Sequence, residues 1–303
     1  GVQTCALPIY PVFLNEYNAV SSTLFLNGGT IATDANGGAA ADTFFGRKVG
    51  NGGNWFELVV AVDHFDMRGM RLEWKENKTG GYSGTIVVRS DVAALADLPG
   101  GTIVTFIEKN TAGGGRSTDL TLDIAGGDRW INLCTTDASV MASTTSTRPG
   151  ATLGSFTTSS DRWMLTIKDA GGNVIAAPAG EGSLAYHRGG VSNTDVCRLE
   201  QDPSGRIDGS GWFDDTGRFS TFGAANTWAN CPDDAVVHVQ DFSALPACAV
   251  ACFGDIDGST VVDPGDVAVA LLDYGPCAGC TSDLDGSGEV DFGDVALIML
   301  NFG

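Results

Sequence analysis

An acidic unit stands twice near the C-terminal end of the chain, and it narrows the possible folds more than any other segment. The first copy runs Asp255-Ile-Asp-Gly-Ser-Thr-Val-Val-Asp-Pro-Gly-Asp266, and the second runs Asp283-Leu-Asp-Gly-Ser-Gly-Glu-Val-Asp-Phe-Gly-Asp294, an offset of 28 residues. The register persists beyond the loops: Val267 matches Val295, Leu272 matches Leu300 and Tyr274 matches Phe302. Oxygen-bearing side chains fall at loop positions 1, 3, 5, 9 and 12. That is the spacing with which a short loop wraps a hard divalent cation.

Calcium takes about six to eight oxygens, several of them anionic, in flexible geometry. The first loop offers Asp255, Asp257, Ser259, the carbonyl of Val261, Asp263 and Asp266. The second offers Asp283, Asp285, Ser287, the carbonyl of Glu289, Asp291 and Asp294. Two calcium ions are therefore expected, one per loop, and all-oxygen donor sets favour calcium over magnesium. Position 6 needs a sharp turn; Gly288 supplies it, whereas Thr260 is β-branched and ill suited to positive φ. The first loop is expected to be the weaker site.

Each loop leads into a helix. Asp263 and Asp291 suit an N-cap, and Pro264 suits the first helical position. The helices are expected to bury Val267, Leu271 and Leu272 against Val295, Ile298 and Leu300, and the loops to pair through Val262 and Val290 at position 8. This loop–helix duplication, from Phe253 to Gly303, resembles the type I dockerin domain, and its Cys-flanked form looks like the dockerin-like tails of planctomycete-type bacteria. The resemblance implies folding on calcium and docking to a cohesin-like or other surface or scaffold protein. In the family, contact positions 10 and 11 commonly carry a hydroxyl pair. Here they are Pro264-Gly265 and Phe292-Gly293, which implies a partner other than a standard cohesin.

Net charge is −20, and residues 253–303 hold ten carboxylates with no Lys or Arg. A surface of this sign cannot track nucleic-acid phosphates. No run of about eighteen apolar residues exists, so no transmembrane helix is expected. The opening Gly1-Val-Gln-Thr-Cys-Ala-Leu-Pro-Ile9 resembles a translated sequencing adapter (GGA GTT CAG ACG TGT GCT CTT CCG ATC), an expected artefact of metagenomic assembly. Residues 1–10 are accordingly set aside as an unstructured start, and a signal peptide is expected to have been lost with the native one. Cys134, Cys197, Cys231, Cys248, Cys252, Cys277 and Cys280 remain. Disulfides in an extracellular or cell-surface setting are one reading. Zinc held by Cys277 and Cys280 with Cys248 and Cys252 is another.

Residues 11–230 read as an Ig-like antiparallel β-sandwich, so the whole chain is mainly β with a small all-α tail. Strands are expected at Val12–Tyr17, Trp55–Val62, Met70–Trp74, Thr85–Arg89, Ile103–Glu108, Leu120–Ile124, Arg129–Leu133, Trp163–Lys168, Asn173–Ala177 and Val196–Glu200. Asp169-Ala-Gly-Gly-Asn173 reads as a hairpin turn, and Gly28–Ala41 and Thr135–Ser160 read as loop insertions. Phe13-Leu-Asn-Glu16, Trp55-Phe-Glu-Leu58, Gly69-Met-Arg-Leu72, Leu98-Pro-Gly-Gly101 and Ser220-Thr-Phe-Gly-Ala-Ala-Asn226 follow one another in the order of motifs in the lamin-tail domain. That resemblance implies an Ig-like sandwich of a kind widespread in bacterial secreted proteins. Residues 231–252 read as a Cys-bounded linker, with a strand at Val236–Val239.

Glu16 and Glu57 are expected to make structural hydrogen bonds within strands. Asp63-His64-Phe-Asp66 is the one His–carboxylate cluster, and acid–base or metal chemistry there competes with a structural turn. Two functions follow. One is a secreted, non-catalytic binding and assembly protein whose calcium-dependent tail tethers the sandwich to a scaffold or surface partner, with polysaccharide a further ligand. The other is an extracellular carbohydrate-active hydrolase, or an accessory subunit of one, carrying a dockerin. The sequence shows no catalytic residues for the second.

Overall fold

The structure is a computed structural model. It describes residues 10–21, 23–24, 26, 53–77, 81–108, 121–124, 129–182, 191–202, 213–215, 220–229, 237–242, 245, 254, 256, 262, 264–277 and 280–300. The chain forms two compact units, Gly1–Pro246 and Ala247–Gly303.

The fold is mainly β, and the first unit is a two-layer sandwich. Its strands are β1 (Val12–Asn18), β2 (Trp55–Val60), β3 (Arg71–Lys75), β4 (Ser83–Val88), β5 (Ile103–Ile107), β6 (Trp130–Cys134), β7 (Met141–Ser146), β8 (Met164–Lys168), β9 (Val174–Ala179), β10 (Val196–Leu199), β11 (Phe213–Asp215), β12 (Thr227–Ala229) and β13 (Val237–Val239). One sheet runs β11-β10-β1-β2-β5-β6 and the other β7-β4-β3-β8-β9, with β12 and β13 as a separate hairpin. Among the described residues, pairings are antiparallel except β5 with β6, which run parallel. The long connection between those two strands permits such a crossover.

Alternation explains the core. Phe56, Leu58, Leu72, Trp74, Ile86, Val104, Phe106, Leu165 and Ile167 point inward from both sheets into one cluster. Phe56 stacks on Phe106, and Tyr17 meets Trp163 across the layers with ring centroids 4.5 Å apart. Gly84 faces the Trp74 indole, where a Cβ would come within 2.7 Å of the ring and collide with the Thr145 carbonyl. Gly84→Ala is therefore expected to cost at least about 1–3 kcal/mol through overpacking, read as a lower denaturant midpoint at unchanged slope.

Several expectations are corrected. Residues 121–124 are not a strand: Leu122 and Ile124 lean on the core without joining a ladder. The Ser/Thr-rich stretch read as an insertion contains β7, which turns Met141 and Thr144 inward and pairs with β4. Threonine suits a pleated, half-buried surface, so hydroxyl content alone misleads there. Tyr10, set aside with the start, packs partly against the core. Part of the stretch read as a linker belongs to the sandwich: β13 pairs with β12, Gln240 is buried, and Leu245 is buried in the main core. The Asp169–Asn173 turn forms, with Gly172 at φ +86° and the Asp169 carboxylate accepting from the Asn173 N–H.

In the second unit, α1 (Pro264–Leu272), β14 (Gly275–Pro276), β15 (Glu289–Val290) and α2 (Phe292–Leu300) follow the duplicated sequence. Val262, Ala270, Val290, Val295 and Ile298 form its core, flanked by Ile256, Val267 and Leu284. Leu271, Leu272 and Leu300, expected inside, are exposed. The inward stripe follows Asp266, Ala270 and their repeats Asp294 and Ile298, which turns the neighbouring positions outward. Val290 pairs with Gly275, and Val262 and Val290 share the core; the backbone on either side of Val262 lies outside the described residues.

Candidate metal centre

The second loop is built around Asp294. This carboxylate is fully buried at the first turn of α2. Its Oδ1 accepts N–H groups from Leu284 (2.7 Å) and Asp285 (3.2 Å), and its Oδ2 accepts the Asp291 N–H at 2.9 Å. Burial pushes this carboxyl up, but the backbone donors of Asp291, Asp285 and Leu284 outweigh burial and hold it below the usual range. Asp291 caps α2 as expected, its Oδ1 accepting the Gly293 N–H at 2.6 Å. With Asp294 reaching back to the cap residue's N–H, the two form a reciprocal capping pair.

Asp283 organises the other side. Its two oxygens accept the N–H groups of Ser287 (3.0 Å) and Gly288 (2.8 Å), and Asp285 Oδ1 accepts the same Ser287 N–H at 2.9 Å. Gly286 and Gly288 both take positive φ, +73° and +89°, so the turn expected at Gly288 is present. Asp283, Asp285 and Asp294 each bring a carboxylate oxygen to within 4.8 Å of the others. The Ser287 hydroxyl donates to the Glu289 carbonyl at 2.9 Å. The chain thus gathers three carboxylates with a hydroxyl and a carbonyl close by in sequence, and no Lys or Arg follows Arg218. Hard oxygens of this kind fit a cation such as calcium, and three mutually close carboxylates repel one another until a cation joins them.

Of the first loop, Asp255, Asp257, Ser259, Thr260, Val261 and Asp263 lie outside the described residues. Asp266 is described and repeats Asp294: it is buried, and its Oδ1 accepts the Ile256 N–H at 2.8 Å, as Asp294 accepts that of Leu284. Cys277 and Cys280 form a disulfide, which removes both thiolates from any zinc site. Cys134 and Cys197 are buried thiols, whereas Cys5, Cys231, Cys248 and Cys252 lie outside the described residues.

At the expected contact positions, Pro264 and Phe292 are exposed, Gly265 is half-buried, and Gly293 is exposed beside Asp291. Phe292 meets Tyr274 edge to face at 5.6 Å. Sequence reading missed the wider apolar surface. Leu271, Leu272, Phe292, Met299 and Leu300 are all more than half exposed. The signal was in the register, since Leu271 repeats as Met299 and Leu272 as Leu300.

In the sandwich, the Asp63–Asp66 cluster splits among separate partners. Asp63 accepts the Gly100 N–H, His64 pairs with Asp97 at 2.8 Å, and Asp66 clamps Arg68. His64 sits at φ +57°, so the turn aims these side chains apart. His187 lies outside the described residues. No protein-family model, no curated protein and no solved structure matches the chain.

Proposed function

We propose that this chain is a secreted, non-catalytic binding and assembly protein, in which a dockerin-like second unit binds calcium through its two loops and tethers a lamin-tail-like sandwich to a scaffold or surface partner. The observation that carries this reading is the Asp283–Asp285–Asp294 triad, closed on itself by backbone N–H groups at the entrance of α2. Asp283, Asp285, Ser287, the Glu289 carbonyl, Asp291 and Asp294 would hold one ion, and the matching donors of the first loop the other. Calcium supplies the positive charge that an acidic unit lacking Lys and Arg cannot supply itself. The repeated exposed leucines and Phe292 support docking, because a unit this small has few other reasons to present apolar side chains in register. The dispersal of Asp63, His64 and Asp66 among structural partners supports the non-catalytic reading over the hydrolase.

The test is calcium-dependent helicity. In the full chain, excess chelator is expected to remove the circular dichroism of α1 and α2, and added calcium to restore it. Helicity unchanged in chelator would refute metal-coupled folding.

A further inference from the structure

The outer face of the six-stranded sheet carries a buried polar row that no metal or docking role uses. β1 bulges between Leu14 and Glu16, so Glu16 stands opposite Glu57 with Asn15 as the extra residue. Both glutamates are fully buried. The segment 220–226 closes over them. Thr221 donates its N–H to Glu16 at 3.1 Å, and Gly223 donates its N–H to Glu57 Oε2 at 2.8 Å. Asn15 Nδ2 donates to Glu57 Oε1, Gln240 Nε2 donates to Asn15 Oδ1, and Gln240 Oε1 accepts the Asn226 N–H.

A hydrogen count locates a proton in this network. Thr221 Oγ1 lies 2.5 Å from Glu16 Oε2 and 2.6 Å from Asn226 Oδ1. The Asn226 amide is fixed, since its Nδ2 donates to the carbonyls of Asn15 and Leu199. A hydroxyl has one hydrogen to give. It goes to Asn226, so the short contact to Glu16 requires a proton on Glu16 itself. Glu57 has an N–H donor at each oxygen, which favours its charged form, but burial acts against that form more strongly. Burial, joined by any charge on Glu16, pushes the Glu57 carboxyl well up. Keeping the proton on Glu16 removes that second contribution.

The geometry points to Glu16 and Glu57 as a proton-held latch, which fixes residues 220–226 and the hairpin that follows them onto the sheet and loosens as the proton is lost. The charged and titratable groups around it, among the described residues, are few. Arg198 of β10 stands opposite Glu16 on one side and Asp214 of β11 on the other, and lies 3.8 Å from Glu200. Asp202 accepts the Asp241 N–H, and His238 stacks on Trp228. Residues 220–226 and β5 bring none. Two charged glutamates would leave Thr221 with two acceptors for one hydrogen, and that segment leads by sequence toward the second unit.

The sign follows from linkage. A carboxyl held protonated above its unfolded value, about 4.3, stabilises the closed segment fully below that value. The contribution is lost as pH rises through the folded value. Amide hydrogen exchange of the full chain, corrected for intrinsic rate, reads it directly. From about pH 5 toward about pH 8, protection of Thr221 and Gly223 is expected to fall by up to about tenfold per pH unit. Glu16→Gln, whose amide can donate to Thr221 permanently, is expected to flatten that slope, leaving only what burial of Glu57 contributes. An unchanged slope in Glu16→Gln, or no slope in the wild type, overturns the latch. Should the variant fail to fold, the infrared carbonyl band of a protonated carboxyl decides: its persistence in the folded wild type near pH 6 supports the latch, and its absence overturns it.

Discussion

Asp294→Ala is expected to abolish calcium binding at the second loop while leaving the sandwich folded. The side chain does two jobs at once. It is a member of the carboxylate triad, and it accepts three backbone N–H groups that tie the loop's start and end together. Alanine removes a ligand and leaves three buried donors without their acceptor. Loss of an outer-shell partner alone costs about 10–100-fold in metal affinity, so loss of this residue should cost more than about 100-fold, or about 2.7 kcal/mol. Isothermal titration of the full chain with calcium measures it. A variant that keeps the wild-type tighter site would contradict the assignment. Asp285, the exposed member of the triad, gives a useful contrast: Asp285→Asn keeps an oxygen donor and should weaken the same site less.

The second large effect is expected at Phe222, in the first unit. This side chain plugs a satellite core on the outer face of the six-stranded sheet, with Val20, Leu26, Trp55, Ile107 and Val196. It meets Trp55 edge to face at 4.9 Å and Trp130 at 5.7 Å. Gly223, at φ +74°, follows so closely that a Cβ would lie 2.6 Å from the Trp130 ring. Phe222→Ala should therefore destabilise the sandwich by about 3–5 kcal/mol, through lost burial and the cavity left behind. Chemical denaturation followed by tryptophan fluorescence measures it. A change under about 0.5 kcal/mol, the range of ordinary surface substitutions, would mean the segment does not seal the sheet.

The parts of this molecule that were legible share a local cause. β1, β2 and β5 were found as short runs rich in aromatic and β-branched residues, and β8 because its apolar residues alternate. The α2 cap was found because Asp291 acts on an N–H two residues away. What escaped depends on partners distant in the chain. Val290 pairs with Gly275, a partner 15 positions away that no repeat or period marks. Leu271, Leu272 and Leu300 were placed inside because they are leucines, yet the helices bury the stripe that begins at Asp266 and Asp294. β7 was hidden by its hydroxyls. The contacts of Glu16 with Thr221 span 205 positions, and no periodicity reports such a separation. Residues of Phe13–Glu16, Trp55–Leu58 and Ser220–Asn226 meet at this point.

The place of β1 in its sheet governs how this chain can be made. It lies between β2 and β10, and Glu16 pairs with Arg198. A nascent chain therefore holds one flank of β1 open until β10 has been synthesised, a wait on the order of tens of seconds at ordinary elongation rates. An unpaired strand edge is a template for pairing with another chain. The vulnerable interval lasts until β10 has been made, and yield should respond to anything that shields β1 until then.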